Sequence, residues 1–294
     1  MPASGTDFPA PALLLLAHGT RDPRGAEEMA ELLEHLRPSV GLVEAAWLEE
    51  FAEPDAVSAA RRLVDAGARA LVTLPFLVLG AGHAKTDVPE GVAQVREALP
   101  DLPVSHGRVL ELHPSLFALG ARRVAAVAGD RDTVAQRPDE LLLVTGAGSS
   151  DPDANGDLAK AARHLAEWTG HRWVDTAYAG VTWPKADVAL RRAAAAGASR
   201  VVLFSWSLLA GLLEQRVAGM AAEVSAETGL EVVDAGRFGP DLLVAEAVLE
   251  RYHEALTGDV RMNCDLCQYR LPVPGREQRA GSPSAGGTGE RVGR

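Results

Sequence analysis

Apolar and polar positions along this chain follow two rhythms in turn. An unbroken apolar run over residues 13–17 and mostly apolar stretches over 43–48 and 70–78 read as strands. Between them, apolar residues fall at helical spacing, as with Met29, Leu32, Leu33 and Leu36 set among acidic neighbours. Asp22 before Pro23 is a helix start, a capping carboxylate followed by proline at the first helical position. The pattern predicts further helices over residues 55–66, 89–99 and 115–127, and a fourth strand over 104–110. Strands and helices in strict alternation, with apolar strands, predict a mostly parallel sheet covered on both faces.

The rhythm restarts at Leu141 and runs to about Leu256. Residues 13–23 line up with 141–152 if one gap is placed near the turn. Pro54 matches Pro184, and Leu71 to Leu77 matches Val201 to Ser207. His106-Gly107-Arg108 matches Ala235-Gly236-Arg237, and His113-Pro114 matches Gly239-Pro240. Landmarks repeated in one order mark an internal duplication with the period of a domain. The expected units are residues 12–130, residues 140–256 and a C-terminal tail over 257–294 that is partly disordered. A charged, proline-containing stretch from Gly129 to Glu140 joins the first two, and residues 1–11 read as an untethered arm. A length of 294 residues agrees with two domains.

Composition narrows the partners. At 47% hydrophobic residues each half can bury a core, and a net charge of −11 argues against a nucleic-acid partner. The apolar run at residues 13–17 is far too short to span a membrane, and no basic residue precedes it. Cys264 and Cys267 sit side by side rather than forming a secreted disulfide framework. A cytoplasmic protein that binds neither membrane nor nucleic acid is the plain expectation.

Ligands in open parallel sheets bind beyond the carboxyl ends of the strands. His18 follows the first strand directly, His83 lies a few residues past the third, and the second half has neither. One strand-end histidine alone reads as a hydrogen-bonded turn residue; a pair missing together from the other copy reads as a site. Two imidazoles facing one cleft can ligate a divalent transition metal and accept protons near neutral pH. Two ligands leave open positions, so metal would be held loosely enough to pass on. Glu49, aligned with Ala179, either orients a histidine and relays protons or belongs to a solvated acidic face with Glu50 and Glu53. Arg21, Arg24 and Lys85 share the histidine loops and, with a helix N-terminus, predict a rim for an acidic small molecule. Charges that merely aid solubility are the alternative. Gly146-Ala147-Gly148-Ser149-Ser150 lacks the lysine and third glycine of phosphate loops and reads as a decayed copy of the His18 turn.

Four segments carry a family resemblance. Ala17-His18-Gly19-Thr20-Arg21-Asp22-Pro23, Trp47-Leu48-Glu49, Pro75-Phe76-Leu77 and Gly82-His83-Ala84-Lys85-Thr86-Asp87-Val88-Pro89 resemble the CbiX-type sirohydrochlorin chelatases. The likeness runs from Leu13 to about Arg276. It implies an α/β fold of two tandem chelatase-like domains, each with a doubly wound, mostly parallel sheet. It also implies insertion of a divalent metal into sirohydrochlorin without ATP, with His18 and His83 as the catalytic, metal-binding pair. Glu49 is the expected helper, and Arg21, Arg24 and Lys85 the expected anchors for substrate carboxylates. Cobalt, for cobalamin, is the first choice of metal, and iron, for sirohaem, the alternative. A non-catalytic metal or tetrapyrrole carrier is the rival from another class. Short members dimerise and long ones fuse two copies, which implies a monomer with an internal pseudo-two-fold. Met262-Asn263-Cys264-Asp265-Leu266-Cys267 is similar to an MxCxxC element associated with a 4Fe–4S cluster. Two cysteines supply half the usual ligands, so a cluster, a zinc site shared in a dimer, or free thiols all stay open.

Overall fold

A computed structural model describes residues 10–49 and 52–258. The expected tail, with Cys264 and Cys267, and nearly all of the N-terminal arm lie outside the described residues. The first half supplies strands β1 (Ala12–Ala17), β2 (Val43–Trp47), β3 (Leu71–Phe76) and β4 (Val104–His106), all parallel, in the order β2-β1-β3-β4. Its helices are α1 (Pro23–Val40), α2 (Ala56–Asp65), α3 (Gly82–Lys85), α4 (Asp87–Ala98) and α5 (Pro114–Ala128). The connection contains a short helix, α6 (Arg131–Ala135). The second half repeats the plan with β5 (Glu140–Gly146), β6 (Trp173–Tyr178), β7 (Arg200–Ser205) and β8 (Glu231–Asp234) in the order β6-β5-β7-β8. Around them lie α7 (Pro152–Thr169), α8 (Ala186–Ala195), α9 (Leu212–Thr228) and α10 (Leu242–Thr257). Among the described residues, no helix is long and apolar enough to cross a membrane.

Two expected elements change. The strand expected over 104–110 stops at His106, and at Gly107, which follows, a Cβ would stand 2.2 Å from Leu74 Cδ2. The helix expected over 89–99 starts at Asp87, behind the separate turn α3. Sheet register also corrects the repeat. Leu13 pairs with Val43 and Val72, and Leu142 pairs with Val174 and Val202. Leu13 therefore matches Leu142, the two copies stay in step to Asp22-Pro23 and Asp151-Pro152, and the gap disappears. A run of leucines hides a one-residue slip that the alternation of side chains between sheet faces makes unambiguous. Asp22 and Asp151 cap α1 and α7 by accepting from the backbone N–H of Arg24 and Asp153.

Packing follows the strand alternation. Leu14 and Leu16 face outward into a cluster with α2 and α4, while Leu13 and Leu15 face inward. The inner faces of both sheets share one core, in which Leu13, Leu74 and Phe76 join Leu142, Val202 and Phe204. Each such buried side chain contributes about 1.5–3 kcal/mol over leaving it in water. The last helix of each half crosses to the other. Helix α5 packs on α7 and β7, whereas α10 packs on α1, β3 and β4. Fully buried Arg251 of α10 donates to the carbonyls of Val109 (3.2 Å) and Leu110 (2.7 Å), so the crossing is hydrogen-bonded as well as apolar. The two packing units thus exchange their closing helices.

Candidate active site

His18 is the first residue beyond β1. The chain then turns at Gly19, where φ is +111° and a Cβ would lie 3.1 Å from the Cβ of Glu49. Glycine meets both demands, since it accepts positive φ and leaves room for the neighbouring chain. The exit of β2 is zipped to that of β1 by Leu48 N–H donating to Ala17 O (2.8 Å) and Glu49 N–H donating to His18 O (3.1 Å). That register places Glu49 Oε1 3.6 Å from His18 Nε2. His83 comes from the single turn α3. Thr86, at φ −121° and ψ −69°, breaks the helix there, and its hydroxyl donates to Gly82 O (2.9 Å).

The two histidines meet edge to face, with Nε2 atoms 2.9 Å apart and ring centroids 4.2 Å apart. His18 Nδ1 lies 3.2 Å from Gly19 O, and His83 Nδ1 is hydrogen-bonded to the Asp87 carboxylate. Oxygen acceptors on both Nδ1 atoms call for N–H on each, which turns the two Nε2 lone pairs toward one another. Two Nε2 atoms brought together in this way can serve as paired ligands for a divalent ion. The ligand atoms of His18, Glu49 and His83 all lie within 4.8 Å of one another. Their side chains are 46%, 34% and 41% exposed, so the site is open to a large ligand.

Asp87 was not singled out in the sequence, although its spacing of four from His83 carried the signal. A hydrogen bond from the Thr86 hydroxyl, then the one from His83, holds its carboxyl below the usual range. An anionic partner on Nδ1 fixes the ring and strengthens Nε2 as a ligand.

The cations are placed less simply. Arg21 is exposed on the histidine turn. Arg24 grips Asp22 through Nε (3.1 Å) and Nη2 (2.7 Å). That contact, with a bond from Gln215 Nε2 (2.9 Å), brings the Asp22 carboxyl to about 2. Lys85 Nζ lies 2.6 Å from Asp151 and 2.9 Å from Asp153, and chiefly the first contact pushes the amine up to about 12. Arg24 and Lys85, both expected substrate anchors, therefore hold carboxylates of the protein itself. Lys85–Asp151 and Gln215–Asp22 are pseudo-two-fold mates, each tying one half's loop to the other half's first helix.

The second half lacks every ligand. Ala179 N–H donates to Gly146 O (2.9 Å) and Gly180 N–H to Ala147 O (3.0 Å), repeating the Leu48 and Glu49 bonds. The counterpart of His18 is thus Ala147, and that of Glu49 is Gly180 rather than Ala179. Because α3 and α9 begin in the same place, at Gly82 and Leu212, His83 corresponds to Leu213.

Comparison with known proteins places the chain in a family. The CbiX family model matches twice, over residues 12–127 and 141–255. Sirohydrochlorin cobaltochelatase of Priestia megaterium is 34% identical over 264 residues, covering 89% of this chain and 85% of that protein. Sirohydrochlorin ferrochelatase of the same organism is 25% identical over 70% of this chain and 76% of its own. In fold, the chain resembles the sirohydrochlorin chelatase SirB of Bacillus subtilis subspecies spizizenii, solved in complex with cobalt. The TM-score is 0.69 at 23% identity, over 85% of this chain and 96% of that one. With both repeats matched and a relative of this similarity along nearly its whole length, the chain belongs to the CbiX family.

Proposed function

We propose that this protein is a sirohydrochlorin chelatase that inserts Co²⁺ into the tetrapyrrole without ATP. The observation that carries the reading is the convergence of His18, Glu49 and His83 at one strand edge, with all three replaced in the second half. Three ligands on an open surface can take up a divalent ion and still leave positions for incoming nitrogens. During insertion two pyrrole N–H bonds break and metal–nitrogen bonds form. The imidazoles that release the ion regain lone pairs and accept the two protons, with Glu49 beside them to relay charge. Asp87 stabilises the His83 imidazolium so formed. Arg21, Arg24 and Lys85 meet substrate carboxylates, Arg24 and Lys85 by exchanging protein carboxylates for those of the substrate.

Fe²⁺ is the second reading, supported by the ferrochelatase relative. A mixed imidazole–carboxylate site accepts either ion. With the pairing of halves built into one chain, the protein acts in the cytoplasm as a monomer, or as a dimer where the CxxC shares a ligand between chains. Cys264 and Cys267, by resemblance to the MxCxxC element, would supply half the ligands of a 4Fe–4S cluster, with a shared zinc site or free thiols as the alternatives; iron, sulfide and zinc analysis of anaerobically purified protein tests it.

The test is anaerobic absorbance of sirohydrochlorin mixed with Co²⁺ or Fe²⁺. Spectral conversion above background that His18→Ala and His83→Ala abolish is the expected result, and the faster ion names the metal. Tight binding without conversion would instead make the protein a carrier.

A further inference from the structure

The mates of the metal-site loops are apolar, yet they face water. Val181 and Trp183 follow β6 as Glu49 follows β2, and Leu212 and Leu213 open α9 as Gly82 and His83 open α3. Val181 is 71% exposed, Trp183 65%, Leu212 52% and Leu213 39%. Single exposed apolar residues mean little, but a contiguous group marks a binding surface. Arg216, one turn along α9 from Leu212, links the two loops, its Nη1 lying 3.7 Å from where a Cβ on Gly180 would stand. Val181 also takes φ +53°, which a β-branched residue rarely adopts, and strain of this kind gathers at ligand sites.

This patch continues into the candidate active site. Thr20 Oγ1 donates to Ala210 O (3.1 Å), and Gln215 reaches Asp22 (2.9 Å). The start of α9 is thus bonded to the turn that begins at His18. Ligands and apolar patch form neighbouring stretches of one rim.

We infer that Trp183, Leu212 and Leu213 seat one face of the sirohydrochlorin ring while the histidine side handles the metal. The inference rests on the proposed function and assigns the second half a part in it. A flat macrocycle has an apolar face and a carboxylate edge. The patch offers an apolar surface with Arg216 at its border, and Arg21 lies on the turn beyond. An exposed indole is suited to stacking on a conjugated ring. Loss of the ligands in this copy then reads as exchange of a metal site for a ring site.

The experiment measures metal-free sirohydrochlorin binding by equilibrium dialysis, and KM and kcat under anaerobic Co²⁺ assay. The proteins are wild type, Trp183→Ala, Trp183→Phe and Leu213→Ser. Removing one stacking side chain is expected to weaken binding and raise KM on the order of tenfold. The kcat and the Co²⁺ affinity stay within about twofold, and Trp183→Phe recovers most of the loss. Unchanged dialysis and KM in both Trp183→Ala and Leu213→Ser would overturn the inference. If, in addition, sedimentation showed a wild-type dimer turned monomeric by Trp183→Ala, the patch would belong to a second copy of the chain. A wild type that binds sirohydrochlorin through these residues but never converts it would sink the chelatase reading alone.

Discussion

The Nε2 atoms of His18 and His83 lie 2.9 Å apart with the rings at 82°. An ion about 2.1 Å from each nitrogen would take the pair as adjacent ligands at roughly a right angle. Metal entry therefore replaces the direct Nε2–Nε2 contact with two bonds to the ion. Truncating either histidine is expected to lower Co²⁺ affinity on the order of 100-fold or more, and Glu49→Gln about tenfold. Titration calorimetry at fixed pH checks this; full affinity in His18→Ala would place the ion elsewhere.

Asp87 acts through His83. Asp87→Asn keeps the shape but removes the charge that supports Nδ1–H, so Co²⁺ affinity should fall by about 10–100-fold. The side chain is 41% exposed, so the thermal midpoint should hardly move. A variant with wild-type metal affinity and a lowered midpoint would make Asp87 a purely structural residue.

Gly25 sits where α1 meets the second half. A Cβ there would stand 2.3 Å from Thr20 Cγ2 and 2.7 Å from the Ala210 carbonyl oxygen. Alanine gains about 1 kcal/mol of helix propensity, but the overlap costs about 1–3 kcal/mol and pushes Thr20 off Ala210. Gly25→Ala is expected to unfold at lower urea and to lose turnover, because the histidine turn moves with Thr20. A stabilised, fully active Gly25→Ala would show that the two halves approach less closely.

Glu111 is 6% exposed, and burial pushes its carboxyl up to about 7 despite Arg108 Nη1 at 3.1 Å. In the folded protein it holds a proton that the unfolded chain gives up near its ordinary 4.5. Folding then binds protons between those values, so this group's contribution is present below about 4.5 and is lost as pH rises through about 7. Glu111→Gln should flatten that slope and stabilise the protein at pH ~8 by up to about 3 kcal/mol. Urea midpoints at pH ~5 and ~8 test it; parallel pH profiles for the two proteins would count against the assignment.

Much of this was legible in the sequence. Strand–helix alternation, the two Asp-Pro helix starts and the duplicated landmarks all describe local preferences, which sequence carries directly. The histidine pair was visible because the other repeat lacks it. What escaped depends on three-dimensional neighbours. The slip between Leu141 and Leu142 is silent where every residue is apolar. Asp87 stands four residues from His83, but only the folded loop shows its carboxylate on Nδ1. Lys85 reads as a free cation until the pseudo-two-fold brings Asp151 to it. An apolar stripe on α5 or α10 likewise does not say which sheet it covers.

That last ambiguity has an outcome for the chain as a whole. Each sheet is roofed by a helix encoded in the opposite half, so neither half carries a complete set of layers. A backbone nick between Pro138 and Asp139 would leave two fragments that fit only each other. Expressed together they should copurify and regain turnover, and expressed singly each should aggregate through its uncovered inner face. The peptide joining the repeats then serves to keep complementary pieces at high effective concentration, while interlocking alone decides which pieces belong together.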